Sequence, residues 1–331
     1  MRAFRGHRRV FFALSALLLG LAAPLPAAQA QEWPNRPIRI LVGFPPGQAT
    51  DVIARLLAER LTENPGWSML IDNRPGQGGS LAAAQAAQSA PDGHTLLLSA
   101  TAPLATNPNL YANVGYDPRR DFAPISLVAN LPFVVFVNPN VAARNVAELI
   151  ALAKARPGQL TYATSGNGTT SHLITMMFGR AAGGLELTHV PYRGGAPALT
   201  DLLAGRIDMM IDTEVFALPH IREGRVRALA VTTAQRTALQ PELPSLAESG
   251  LTGFDAAAWL GLVAPAGTPR PIIERLNREL HRILAEPATR QRLSGLGAQV
   301  MTSTPDDFLA FMRSEFVKWG NAVRENNVKL D

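Results

Sequence analysis

Residues 37–61 read PIRILVGFPPGQATDVIARLLAERL. The run from Pro37 to Phe44 is apolar and rich in β-branched residues, which suits a buried strand. Pro45-Pro46-Gly47 then turns the chain. From Thr50 to Leu61 the apolar positions Val52, Ile53, Leu56, Leu57 and Leu61 follow helical spacing. The order is therefore strand, Gly/Pro loop, helix. It returns further along, with a strand at Leu160 to Thr164, a loop at Ser165-Gly166-Asn167-Gly168-Thr169 and a helix from Ser171 to Arg180.

Working outward, Ser68 to Asp72 reads as a second strand. Arg74-Pro75-Gly76-Gln77-Gly78-Gly79-Ser80 is a Gly-rich turn into an alanine-rich helix at Leu81 to Ala90, and His94 to Ser99 is a third strand. Val146 to Ala155 is a helix stopped by Pro157-Gly158. Leu187 to Val190, Ile207 to Asp212 and Val226 to Thr232 are strands, with a helix from Pro197 to Ala204 among them. Alternating strands and helices predict α/β layers around a largely parallel sheet. Two longer apolar stretches, Ile125 to Val137 and Phe254 to Ala264, read as extended. Amphipathic helices follow at Pro271 to Ala285 and Pro305 to Asn321. This pattern predicts one domain from residues 31–130 plus 254–331 and a second from 131–253. The two extended stretches would be the connections, a hinge arrangement; a tandem arrangement fits the pattern as well.

The chain has 331 residues, 47% hydrophobic and 17% charged, a globular composition. At roughly 100–200 residues per domain, two domains are expected. No cysteine is present, which removes disulfides, thiolate nucleophiles, thiolate metal sites and lipid attachment through cysteine. Residues 1–30 have the form of a secretory signal peptide. Arg2, Arg5, Arg8 and Arg9 precede an apolar run from Val10 to Ala23, and Ala28-Gln29-Ala30 has the small-x-small form of a cleavage site. Arg8-Arg9-Val10-Phe11-Phe12 partly matches a twin-arginine signal, so export by Sec or Tat are both compatible. The net charge of +5 comes mostly from those four arginines. What remains gives no electrostatic footprint for nucleic acid or an anionic membrane.

The two strand–loop–helix units carry the chemistry. Each Gly-rich loop delivers the chain to a helix N-terminus, where backbone N–H groups lack partners and the helix dipole is positive. Facing each other, two such ends would clamp a carboxylate without Lys or Arg. Ser165, Thr169, Thr170 and Ser171 would add hydroxyl donors. Each loop also fits an ordinary turn and N-cap. Neither has the Lys-Ser/Thr ending of a P-loop, and no G-x-G-x-x-G follows the first strand. His94, His172, His189, His220 and His281 are spread singly, without metal-ligand spacing. Ser165, His189 and Asp212 form a hydrolytic triad on paper, but no G-x-S-x-G elbow supports it. Asp212 ends an apolar strand, where a carboxylate either faces a ligand crevice and takes an ammonium or hydroxyl or caps the next helix. Trp259 either covers a ligand or packs in the connection, and packing is favoured.

Several blocks together resemble the Bug family, the extracytoplasmic solute receptors of tripartite tricarboxylate transporters. They are PIRILVGFPPGQATD at 37–51, DNRPG at 72–76, APDGHTLL at 90–97, YATSGNGTTSHL at 162–173, HVPYRGGAPAL at 189–199 and LVAPAGTP at 262–269. The resemblance implies an α/β, two-domain periplasmic binding protein of the Venus-flytrap, type II-like form, hinged on two crossover strands. It implies a monomeric periplasmic receptor, not an enzyme, with no cofactor or metal. Its ligand would be a small carboxylate and its partners the membrane permease subunits of such a transporter, or a membrane sensor in the alternative role. A periplasmic hydrolase is the remaining reading. Carried onto this chain, the ligand contacts are Phe44, Pro46, Gly47 and Gln48, faced by Ser165, Asn167, Thr169, Thr170 and Ser171. Tyr192 and Asp212 lie nearby, and Thr101 and Thr106 are further contacts. The family loop reads Pro-Pro-Gly-Gly, and Gln48 stands here in place of the second glycine. Its side chain would narrow the pocket, donate to the ligand, or strain the loop if φ had to be positive.

Overall fold

β1 (Ile38–Val42), α1 (Ala49–Glu63), β2 (Met69–Asn73), α2 (Ser80–Ala87) and β3 (Thr95–Ala100) form in the order read from the opening sequence. The structure is a computed structural model that describes residues 33–325, so the signal peptide read at residues 1–30 lies outside the described residues. From Arg36 onward the chain forms one compact unit.

A π-helical turn at Ala102–Thr106 and the short α3 (Asn107–Leu110) lead to β4 (Phe122–Val137). Next come α4 (Val146–Ala155), β5 (Thr161–Thr164), α5 (Thr170–Ala181), β6 (Thr188–Pro191), α6 (Gly195–Leu203), β7 (Met209–Thr213), α7 (Glu214–Arg222) and β8 (Arg227–Val231). The chain closes with β9 (Ala257–Pro265), α8 (Arg270–Ala285), α9 (Pro287–Gly295), β10 (Gln299–Val300) and α10 (Pro305–Glu325). The π turn, α3, α7 and α9 escape a periodicity reading for one reason. Each is nine residues or shorter, too short for a helical period to show; Pro103, Pro108 and Pro287 sit in the first turn, where proline is tolerated, and only Pro219 lies inside its helix.

The strands run in the order β2-β1-β3-β9-β4-β7-β5-β6, with β8 and β10 also paired to β4. β1 is parallel to β2 and β3, and β5 is parallel to β6 and β7. Every pairing of β4 and β9 is antiparallel. The expected largely parallel sheet is therefore corrected to a mixed one, with parallel wings and an antiparallel centre. The two long extended stretches are the cause. They enter the sheet as strands, because backbone N–H and C=O groups this deeply buried need partners.

β4 joins the two wings. Its first part, through Pro132, pairs with β9, and Phe133 to Val137 pair with β7 and β8. Residues Leu131 and Phe133–Val137 are almost wholly buried, which explains the unbroken apolar run. One core lies around Val134, Phe136, Ala163, Leu202, Met210 and Val231. Burying a side chain such as Phe136 contributes roughly 1.5–3 kcal/mol. On the other wing the C-terminal helices complete the packing. Ile273, Leu276, Leu280 and Ile283 form the buried stripe of α8. Trp259 is buried as well: its ring meets Phe308 edge-on, and its Nε1 and that of Trp319 both donate to Glu315 at 2.8 Å. The packing reading of Trp259 is the one observed.

Candidate functional site

The first half of the site is the turn between β1 and α1. Gly43 is required there by contact: a Cβ at this position would lie 2.6 Å from Cα of Gly79. The two Gly-rich segments therefore meet backbone to backbone. Gly47 is required by conformation, with φ at +85°. Its N–H donates to Asp51 Oδ2 at 2.8 Å. Arg55 Nε donates to the same oxygen at 3.0 Å, and Asn73 Nδ2 donates to Oδ1 at 2.9 Å and to the Phe44 carbonyl at 2.9 Å. Gly47 is thus not a free backbone donor, because Asp51 occupies it. Gln48 has φ −79° and ψ 162°, an extended N-cap, so its replacement of glycine strains nothing. Its side chain makes no cap hydrogen bond. The N–H groups of Ala49 and Thr50, in the first turn of α1, consequently have no acceptor among the described residues.

The second half is the turn between β5 and α5. Thr169 is the N-cap, its Oγ1 accepting from the His172 N–H at 3.4 Å and donating to the Gly166 carbonyl at 2.8 Å. Ser171 Oγ donates to the Ile211 carbonyl at 2.5 Å, tying α5 to β7. Ser165 Oγ donates to Asp212 Oδ2 at 3.0 Å. Beneath this turn three rings stack, Tyr162 on His189 with centroids 4.7 Å apart and His189 on His172 at 4.3 Å. His172 Nδ1 accepts from the Gly168 N–H, and His189 Nε2 pairs with Thr164 Oγ1 at 2.8 Å. Burial pushes both imidazoles down to about 4, and the neighbouring ring adds to the effect at His172. Ser165 therefore bonds to the acid and His189 to a threonine, so the paper triad is not assembled.

The two turns face one chamber of about 590 Å³, its opening included. Phe44, Gln48, Ala49 and Thr50 line it from one side, and Ser165, Thr169, Thr170, Ser171, Asp212 and Thr213 from the other. Leu131, Phe133, Phe216 and Ala258 supply apolar walls. An outer vestibule of about 990 Å³ shares Phe44, Gln48, Ser165 and Thr169 and adds Asn167, Tyr192 and Arg193. The rims touch where Tyr111 Oη donates to the Asn167 carbonyl at 3.3 Å.

Of the residues expected here, Phe44, Gln48, Ser165, Thr169, Thr170, Ser171 and Asp212 line the chamber, and Asn167 and Tyr192 line only the vestibule. Tyr192 Oη is committed to Asp201 at 2.6 Å. Pro46 and Gly47 line neither space; Pro46 is exposed, and the two shape the turn from behind. Thr101 and Thr106 are fully buried elsewhere. Thr101 Oγ1 accepts the Trp259 N–H at 2.8 Å and so ties β3 to β9. Sequence reading missed the free N–H groups of Ala49 and Thr50, the walls Leu131, Phe133 and Phe216, and the bracing by Asp51 and Asn73. Asp51 and Asn73 did stand in the quoted blocks, and a buried acid one turn after a glycine loop was the available signal.

Two aspartates at the site differ in charge compensation. Burial alone would push the Asp51 carboxyl up, but Arg55, the Gly47 N–H and Asn73 outweigh it and hold the group below its usual range. Asp212 lacks such a cation. Burial pushes its carboxyl up, opposed only by hydrogen bonds from Thr213 and Ser165. It does not cap α7, whose N-cap is Thr213 with no side-chain cap bond.

A cleft between two α/β wings, floored by the strands that join them, defines a two-domain solute-binding protein of the Venus-flytrap class. Residues 53–328 match the family described as tripartite tricarboxylate transporter family receptor (TctC), and the chain belongs to that family. It is 38% identical over 312 residues to BugT of Bordetella pertussis, covering 94% of both chains. Its fold is similar to that of Rpa4515 from R. palustris, solved with adipate (TM-score 0.87, 36% identity, 90% of this chain and 99% of that one). It is also similar to MatC from Rhodopseudomonas palustris, solved with bound malate (TM-score 0.82, 33% identity, 88% and 100% covered). The family is one of solute-binding receptors. Among the described residues no helix is long and apolar enough to cross a membrane.

Proposed function

We propose that this chain is an exported periplasmic receptor that captures a small carboxylate in the chamber and delivers it to the membrane subunits of a tripartite tricarboxylate transporter. In this reading it works as a monomer. One domain comprises residues 31–130 and 254–331, the other residues 131–253, and the two close over the ligand about the strands that cross between them.

One observation carries the reading: two helix N-termini from opposite wings converge on one chamber that contains no Lys or Arg. The unpaired N–H groups of α1 and α5 supply directed donors, and both helix dipoles present their positive ends. A carboxylate held between them bridges the wings, so ligand binding favours the closed form. The adipate and malate held by the two related proteins support carboxylate as the ligand class.

The test is a thermal-shift screen of the ligand-stripped mature protein against carboxylates, with their amides and neutral sugars as controls. A ligand at 100 times its Kd adds about 2.7 kcal/mol to stability. That corresponds to a rise of about 4 °C for a chain of this size. A shift from an acid and none from its amide is the expected result. Shifts from neutral solutes alone would refute carboxylate capture.

A further inference from the structure

Among the described residues Asp212 is the only ionisable side chain lining the inner chamber. It is buried at the end of β7 and is 7% exposed. Its oxygens face donors: Ser165 Oγ to Oδ2 at 3.0 Å and the Thr213 N–H to Oδ1 at 2.7 Å. Among the described residues no cation pairs with it, and the Ser165 and Thr213 hydroxyls beside it can bond to either form of the carboxyl. Burial pushes the carboxyl up, so its ionised form, which keeps lone pairs to spare, lacks a compensating charge until a ligand brings one. Asp51 shows the contrast in the same site, with Arg55 against both its oxygens. A buried charge without a counter-ion is costly, and here the open side is the ligand space.

We infer that Asp212 sets specificity: the chamber takes a carboxylic acid that also carries an ammonium group, and turns away one that presents a second carboxylate to Asp212. The inference rests on the reading of the chamber as the carboxylate site. The helix N-termini take the ligand's negative end. Asp212 takes the positive one, and Phe133, Phe216 and Leu131 exclude water around the pair. A ligand ammonium restores the missing counter-charge, and a ligand hydroxyl fills a lone pair without doing so. A second carboxylate meets a like charge in a poorly screened space.

The experiment compares matched acids on one carbon frame: pentanoate, 2-aminopentanoate, 5-aminopentanoate and glutarate. A phenyl frame is run beside it, with 3-phenylpropanoate, phenylalanine and benzylmalonate. Calorimetry reads each acid against the wild type and Asp212→Asn. The asparagine keeps both partners, its Oδ1 accepting from Thr213 and its Nδ2 donating to Ser165. At least one amino acid should bind the wild type about tenfold or more tighter than its desamino and dicarboxylate counterparts, and Asp212→Asn should erase that preference. A dicarboxylate that binds the wild type best, or a preference that survives Asp212→Asn, would each overturn the inference alone. Silence from every acid in both proteins would instead overturn the carboxylate reading beneath it.

Discussion

Replacing Asp51 by alanine should loosen the ligand-binding turn from a position outside the chamber. The carboxylate accepts from the Gly47 N–H, from Arg55 and from Asn73, all at 2.8–3.0 Å. A hydrogen bond to a charged group contributes about 1.5–3 kcal/mol. The Arg55 side chain is 54% exposed, so water screens its share. Asn73 keeps its bond to the Phe44 carbonyl, and water reaches part of what is freed. The sum is about 3 kcal/mol, or a fall in Tm of about 5 °C. Asp51→Asn retains one acceptor oxygen and should fall between. Because the folded carboxyl titrates below its ordinary value, the stabilisation is present above the unfolded pKa of 3.8 and is lost as pH falls below it. The gap between wild type and Asp51→Ala should accordingly narrow only below about pH 4. Differential scanning calorimetry reads the Tm, and amide exchange across residues 44–52 reads the turn. A Tm within about 1 °C of wild type with unchanged exchange would show that Asp51 does not brace the turn.

The stacked histidines predict a second acid limb at higher pH. Unfolded histidine takes a proton near 6.5, whereas folded His172 and His189 resist until about 4. Between those values the unfolded chain binds more protons, so stability falls as pH falls through the window. His172 contributes about 2–4 kcal/mol across it, and half-buried His189 less. His172→Asn keeps an acceptor for the Gly168 N–H and should flatten the slope of the urea midpoint between pH 6.5 and 4; an unchanged slope contradicts the assignment. Gly43→Ala should cost more than Gly66→Ala. The first drives a Cβ to 2.6 Å from the Gly79 backbone, and the second adds one to open space at φ +86°. The measure is the difference in Tm, with about 1–3 kcal/mol expected at Gly66 from backbone strain. Equal losses would mean that the Gly43–Gly79 approach is relaxed at no cost.

Much of the architecture is local in origin and therefore legible. The helical spacing of Val52 to Leu61 and the punctuation by Pro45-Pro46-Gly47 and Ser165–Thr169 place both helix N-termini without reference to distant residues. Those signals act within a few residues, where backbone sterics and periodicity decide. The carboxylate chemistry proposed for the site rests on the same two turns. The elements that escaped, the π turn, α3, α7 and α9, are nine residues or shorter, which leaves too few positions for a helical period to show.

Tertiary structure decided the rest. The sequence pointed to a largely parallel sheet, because the runs around Val134 and Leu260 read as connections; burial brings their backbone groups into the sheet as strands, and its centre is antiparallel. Thr101 and Gly47 carry the residue types of a binding site, yet the fold sets them against Trp259 and Asp51, which only folded distances reveal. Asp51 and Asp212 are the same residue at similar depth. An arginine one turn along α1 settles the first, and among the described residues none pairs with the second, which lines the chamber. Sequence fixes which groups a chain carries; the fold determines which of them are already satisfied, and the unsatisfied ones are left for the ligand.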